Sequence, residues 1–257
     1  MKTLIQSELS RLVIRRRTII ILILSILAFL FLAFFNSFFG SGFYDSNQTA
    51  TLDALNFAPF VLRDYHFYLV LVLCPLLVVE SFNRERTSGE YRMVMIRPYS
   101  RRQFYIAKII SLAIVIGILV FILWILAMIL GSLVLPKSTT TSFFNPEVSY
   151  TMVEAIFFSF KFYLVEYSML VAIISVISSI SLLLASPLLS YVTSIFLLFG
   201  LGFSTASFEF LATSTRSIFD LLLGIGAGWH VILSLIVVLG LGMGSSYVLF
   251  KRNDYLS

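Results

Sequence analysis

Residues 18–39 read TIIILILSILAFLFLAFFNSFF, a run of twenty-two positions without one charge. A helix of about 20 apolar residues crosses the ~30 Å hydrocarbon core of a bilayer. Comparable stretches return near 65–82, 104–135, 155–184, 188–204 and 228–250. Apolar residues make up 59% of the chain and charged residues 12%, whereas a soluble domain holds roughly 45–50% and 25%. An ordinary water-soluble globule is excluded. The pattern predicts an all-α polytopic membrane protein with six transmembrane helices, residues 1–257 forming a single domain.

The segment before the first span, residues 1–17, is MKTLIQSELSRLVIRRR. Leu4, Ile5, Leu9, Leu12 and Val13 recur at helical spacing with Lys2, Glu8, Arg11 and Arg15 between them, which predicts an amphipathic interfacial helix. No cleavable signal peptide is expected, because the first apolar run is too long and Asn36, Ser37 and Gly40 form a poor cleavage site. Lys and Arg number five in this segment, seven over 83–108 and two at Lys251-Arg252. The alternate connections hold Arg63, Lys137 and Arg216, one each. Fourteen against three is a positive-inside bias that places both termini in the cytoplasm of a cell-membrane protein. The net charge of +5 thus reflects topology and the lipid surface, with no nucleic-acid partner expected. Cys74, the single cysteine, sits in an apolar run and reads as a packing residue.

Ala185-Ser186-Pro187 predicts a tight turn between the fourth and fifth spans. Residues 205–227 hold Glu209, Arg216 and Asp220 among short apolar patches, which predicts short helices in a re-entrant-like segment before the sixth span. Gly240 with Gly244, and Gly200 with Ser204, have the small-xxx-small spacing of close helix contacts.

The interval between the second and third spans is more tightly specified than topology requires. Thr87 to Glu90 reads T-x-x-E, a capping box that predicts a short helix from about Ser88 to Ile96. Pro98 breaks it. Ser100 to Gln103 is a second box, S-x-x-Q, opening the third span, with Tyr99 and Phe104 at staple positions. Tyr91, Val94 and Met95 give the short helix an apolar side, while Arg84, Arg86, Arg92 and Arg97 make it basic. Such a helix suits docking on a partner.

These residues carry a resemblance. Glu85-Arg86-Thr87-Ser88-Gly89, then Pro98-Tyr99-Ser100-Arg101-Arg102, then Lys108, is similar to the signature loop of ABC-2-type permeases, the membrane subunits of bacterial ATP-binding-cassette exporters. The six spans, N-terminal helix and broken segment before the last span extend the likeness along the chain. Glu90 and Ala107 depart from the Thr and second Gly that the family often carries. The resemblance implies a coupling helix seated on an ABC ATP-binding subunit, with Glu85, Gly89, Pro98, Ser100, Arg101 and Lys108 as coupling-loop positions. It also implies a second permease chain, identical or homologous, and outward movement of a substrate; the aromatic, apolar span surfaces would suit an amphipathic cargo such as a peptide, lipid or drug. ATP and Mg would be bound by the partner ATPase. The chain itself is not expected to be an enzyme, since a phosphate-binding loop ends in Gly-Lys and no Gly-Lys pair occurs.

Two charges lie inside the fourth span. Lys161, roughly 9 Å below the boundary, can snorkel outward. Glu166, about 16 Å in, is costly to ionise there and reads either as a functional position facing a cavity or partner, or as a packing residue protonated or hydrogen-bonded within the bundle. Ser159, Tyr163 and Glu166 share a helix face and form a candidate intramembrane polar site. His66 and His230 fall near outer span ends with no second ligand, so no metal site is expected. Two other readings use the same residues: a subunit that passes ATP-driven motion to an extracytoplasmic partner without transport, and an ion-coupled secondary transporter working through Glu166.

Overall fold

The computed structural model describes residues 1–45, 48–91, 99–143, 148–211, 216–224 and 229–252. Helix α1 (Lys2–Ile14) buries Leu4, Glu8 and Leu12, one face at i, i+4 and i+8. Glu8 therefore belongs to the buried face and not to the polar one. Arg15 is extended (ψ 121°) and separates α1 from α2 (Arg16–Phe39). A hairpin of β1 (Ser41–Asp45) and β2 (Gln48–Thr51) follows.

Helix α3 runs continuously from Phe57 to Thr87, eight residues earlier than the hydropathy pattern predicts. Arg63, Asp64 and His66 dilute the apolar signal, yet Phe57, Ala58, Phe60, Val61 and Leu62 are all buried. Asp53 starts the helix by accepting from the backbone N–H groups of Leu55 (2.8 Å) and Asn56 (2.9 Å). Pro59 fits in the first turn, where no intrahelical donor is required. Two stretches of α3, Leu69–Leu73 and Glu80–Arg84, wind as π-helix. The first precedes Pro75, which has no N–H for the Leu71 carbonyl; the Tyr191 hydroxyl donates to that oxygen at 3.5 Å.

Thr87 does not open a helix. It is the last residue of α3, and its hydroxyl donates back to the Arg84 carbonyl at 3.0 Å. Gly89 (φ +76°) makes the turn that follows, and Glu90 and Tyr91 are helical again. The T-x-x-E pattern is overridden because Glu85 is anchored by tertiary contacts that keep α3 wound past it. The remainder of the expected short helix, and Pro98, lie outside the described residues.

Helix α4 (Arg101–Val134) begins at the expected box: the Ser100 hydroxyl accepts from Gln103 N–H (3.3 Å) and the Gln103 amide oxygen accepts from Ser100 N–H (3.0 Å). A minimal hairpin, β3 (Thr140–Thr141) with β4 (Tyr150–Thr151), leads to α5 (Met152–Leu183). The turn at Ser186 is extended and Pro187 opens α6 (Pro187–Gly202). A 3₁₀ turn (Ala206–Leu211) and α7 (Arg216–Leu223) interrupt the chain before α8 (Trp229–Arg252). Among the described residues five helices, α2, α3, α4, α5 and α8, are long and apolar enough to cross a bilayer; α6 is a shorter apolar helix.

Helix α5 is the axis of the bundle, packed against α3, α4, α6, α7 and α8. Its closest neighbour is α8, where a Cβ at Gly242 would stand 2.9 Å from the Ser175 backbone. A Cβ at Gly240, Gly244 or Gly200 would meet no atom of another described element within 4 Å, so the close approach to α5 uses Gly242 and not the small-xxx-small pairs. Polarity is inverted relative to a soluble fold. Ser175, Ser178, Ser181, His66, Glu166 and Lys108 are fully buried, while Phe31, Phe34, Phe38 and Phe196 are 68–81% exposed. Exposed phenylalanine around an interior that holds the buried ionisable groups in pairs, Lys108 with Glu85 and His66 with Glu166, is the arrangement hydrocarbon solvent demands.

Candidate functional site

The end of α3 is the meeting point of the basic end of the molecule. Glu85 is 1% exposed and Lys108, on α4, is wholly buried. Lys108 Nζ donates to Glu85 Oε2 and to the Ser81 carbonyl (3.0 Å), and lies 3.3 Å from Glu8 Oε2. Arg11 of α1 bridges Glu8 (2.7 Å) and Glu85 (2.8 Å). Arg15 reaches Glu85 (2.9 Å) and Glu90. Three carboxylates thus meet three cations, and the cluster is neutral overall. The Lys108 ammonium also lies 5.1–5.7 Å from the ring centres of Phe82, Tyr91 and Phe104, within cation–π range.

Each neighbouring residue of the signature ties down another element. The Arg86 guanidinium donates to the Leu182 (2.6 Å) and Leu184 (3.0 Å) carbonyls. These belong to the last turn of α5, whose carbonyls lack helical partners. Asn83 Nδ2 adds bonds to Ser181 O (3.0 Å), Leu184 O (2.6 Å) and Ser190 Oγ (2.7 Å), spanning the α5–α6 turn. Arg101 donates to the Lys251 carbonyl at the end of α8 (2.8 Å). Phe82, Tyr91, Phe104, Tyr105 and Phe250 form an aromatic cluster joining α3, α4 and α8.

The expected coupling-loop residues therefore divide. Glu85 and Lys108 are buried pillars that position the loop; Gly89 makes its left-handed turn; Ser100 caps α4; Arg101 is exposed. Glu8, Arg11 and Arg15 complete the pillar and were not singled out from sequence. The only signal was Glu8 at four residues from both Leu4 and Leu12, an acid in register with the buried stripe.

A second polar site lies deeper. Because α3 starts at Phe57, His66 stands about 14 Å along it and not at a span end. His66 Nδ1 lies 2.8 and 2.9 Å from the two Glu166 oxygens, and Nε2 lies 3.1 Å from the Phe210 carbonyl. A carbonyl only accepts, so Nε2 carries hydrogen. Nδ1 and Glu166 then share one further proton, as imidazolium–carboxylate or imidazole–carboxylic acid, and the pair is neutral either way. Tyr163 donates to the Ala58 carbonyl at 3.1 Å. Ser159 lies on the same buried face of α5, its hydroxyl without a hydrogen-bond partner among the described residues. Lys161 is exposed. Tyr163 also borders a cleft of about 450 Å³ between α4 and α5, lined by Gly117, Phe121, Trp124, Phe160 and Tyr167.

A helical bundle with apolar flanks, buried ionic pairs and a charged hub at one end is a polytopic membrane protein. The model of the ABC-2 family transporter proteins matches residues 4–202, and the chain belongs to that family. Membership carries the family's coarse function, the membrane permease of an ABC transporter. No individual curated protein matches the chain.

Proposed function

We propose that this chain is the transmembrane subunit of an ATP-driven exporter, moving an amphipathic peptide, lipid or drug outward. Two permease chains, identical or homologous, would work with two ATPase subunits that bind ATP and Mg. The observation that carries this reading is the convergence on residues 80–108: Glu85, Lys108, Arg86, Asn83 and Arg101 join the α3–α4 connection to α1, α5, α6 and α8. A force applied at Asn83, Glu85, Arg86 or Arg101 is passed by direct bonds to α1, α4, α5, α6 and α8, as transmission of an ATPase stroke requires. The apolar runs support six spans, and the Lys and Arg distribution supports placing both termini in the cytoplasm. The sixteen residues of α6 reach about 24 Å, close to a span.

Co-expression with the ATP-binding subunit encoded beside it tests the proposal. Purification through a tag on this chain is expected to retain the ATPase. Gly89→Pro, which cannot adopt φ +76°, and reversal of Arg101 and Arg102 to Glu are expected to abolish retention while membrane insertion persists. An ATPase held equally by these variants, or by none, would overturn the reading.

The His66–Glu166 pair favours a second reading, ion-coupled transport through Glu166. That mechanism predicts transport driven by a proton gradient in vesicles without ATP, lost in Glu166→Gln. The outer hairpins, tied together where Asn56 donates to the Ser142 carbonyl and Ala54 N–H to the Pro136 carbonyl, suit instead a subunit passing motion to an extracytoplasmic partner.

A further inference from the structure

Beside the neutral hub, and sharing Arg15 and Glu90 with it, lies a recess of about 260 Å³, lined further by Arg16, Arg17, Glu80 and Arg84. Its internal pairing is incomplete. Glu80 accepts from Arg84 (2.9 Å) and stands only 3.9 Å from Arg17, while Glu90 pairs with Arg15. Arg16 has no ion-pair partner among the described residues, and Arg17 is 62% exposed. Four guanidiniums face two carboxylates, so the recess retains two positive charges.

The placement of those charges is unfavourable for the fold alone. Arg15, Arg16 and Arg17 are the N-cap and first two residues of α2, which has no side-chain cap and no acid in its first turn. Cations at the positive end of a helix dipole, beside unserved backbone N–H groups, destabilise the helix unless an anion sits among them. The volume is several times the ~30 Å³ share of a water. Guanidinium forks match the oxygens of a phosphate bidentately. The recess also opens where α2 begins its apolar run, at the depth of the headgroup layer, where basic pockets between helices meet anionic lipids.

We propose that this recess binds a phosphate group, holding the start of α2 to the end of α3. The phosphate belongs either to an anionic lipid headgroup or to a soluble phosphate, and the two sources are separable. The purified chain in neutral detergent is titrated in one arm with phosphatidylglycerol and in the other with inorganic phosphate. Bound lipid is read by native mass spectrometry; both arms are read by the rise in thermal midpoint. The wild type is expected to bind in one arm and the Arg16→Gln/Arg17→Gln variant about tenfold more weakly. Lys2→Gln/Lys251→Gln, which removes equal charge from the same end of the molecule, is expected to bind as the wild type. Phosphatidylglycerol retention assigns the site to lipid, and a response to inorganic phosphate alone assigns it to a soluble ligand. Silence in both arms, or equal loss in the two double variants, overturns the proposal. Fold integrity is checked by each variant's midpoint without ligand, and Arg84→Gln, outside α2, is expected to reproduce the loss.

Discussion

At the scale of single residues, the buried ionic groups have steep and distinguishable consequences. Lys108→Met leaves the hub one negative charge in excess, and an unpaired buried charge costs about 3–5 kcal/mol. Adding Glu85→Gln restores neutrality, so the double variant is expected to lose less stability than the two single variants summed, a coupling measurable by denaturation in detergent. At the second site, Glu166→Gln keeps a hydrogen-bonding group against His66 Nδ1 and is expected to stay within about 1 kcal/mol of wild type. Glu166→Leu strands that nitrogen and is expected to cost about 1–3 kcal/mol. Comparing their thermal midpoints decides it. Here sequence reading had its clearest failure and success together. Glu166, Tyr163 and Ser159 were legible because one helix's period places them on one face. The His66 partner was not, since it is a hundred positions away on a helix whose start was obscured by Arg63 and Asp64.

At the scale of elements, the α5–α6 turn is held from outside. Arg86→Ala removes the guanidinium bonds to the Leu182 and Leu184 carbonyls, leaving Asn83 on Leu184, and losing hydrogen bonds from a charged donor is expected to cost about 1.5–3 kcal/mol. Hydrogen exchange over 184–190 is expected to speed up while exchange in the middle of α5 stays unchanged. Boundaries of the spans were largely readable, because hydrocarbon imposes a length that composition reveals: α2, α4, α5, α6 and α8 lie within three residues of the apolar runs at both ends. Local caps were readable only where no tertiary contact competed. Ser100 caps α4 as its motif predicts; Thr87 does not cap anything, because the anchored Glu85 keeps α3 wound through it.

At the scale of the whole molecule, the inverted polarity and the contacts among α1, the α3–α4 connection and Lys251 bring the N-terminal segment and the end of α8 to one end. We propose from the Lys and Arg distribution that this end is cytoplasmic. Lys2→Cys is expected to react with a membrane-impermeant maleimide only after permeabilisation, and Thr139→Cys in intact cells. Cys74 is fully buried and supplies a silent background. Labelling of Lys2→Cys in intact cells would reverse the topology.

The two π turns of α3 give the long helix a mechanical character of its own. Each holds one residue more per turn than the α-helix around it, and one residue is about 100° of rotation. Cys74–Val79 lies between them, so on the proposed coupling reading we infer that the surplus residue of one turn shifts toward the other while both ends stay clamped, at His66 and at Glu85. The segment between would then turn like a threaded shaft, converting a push at the loop into torsion in the middle of the bundle. Deleting Val72 removes the slack of the first turn without turning the flanking faces. That variant is expected to be at least as stable to heat as wild type yet deficient in transport: a shaft that fits its bearings but no longer turns.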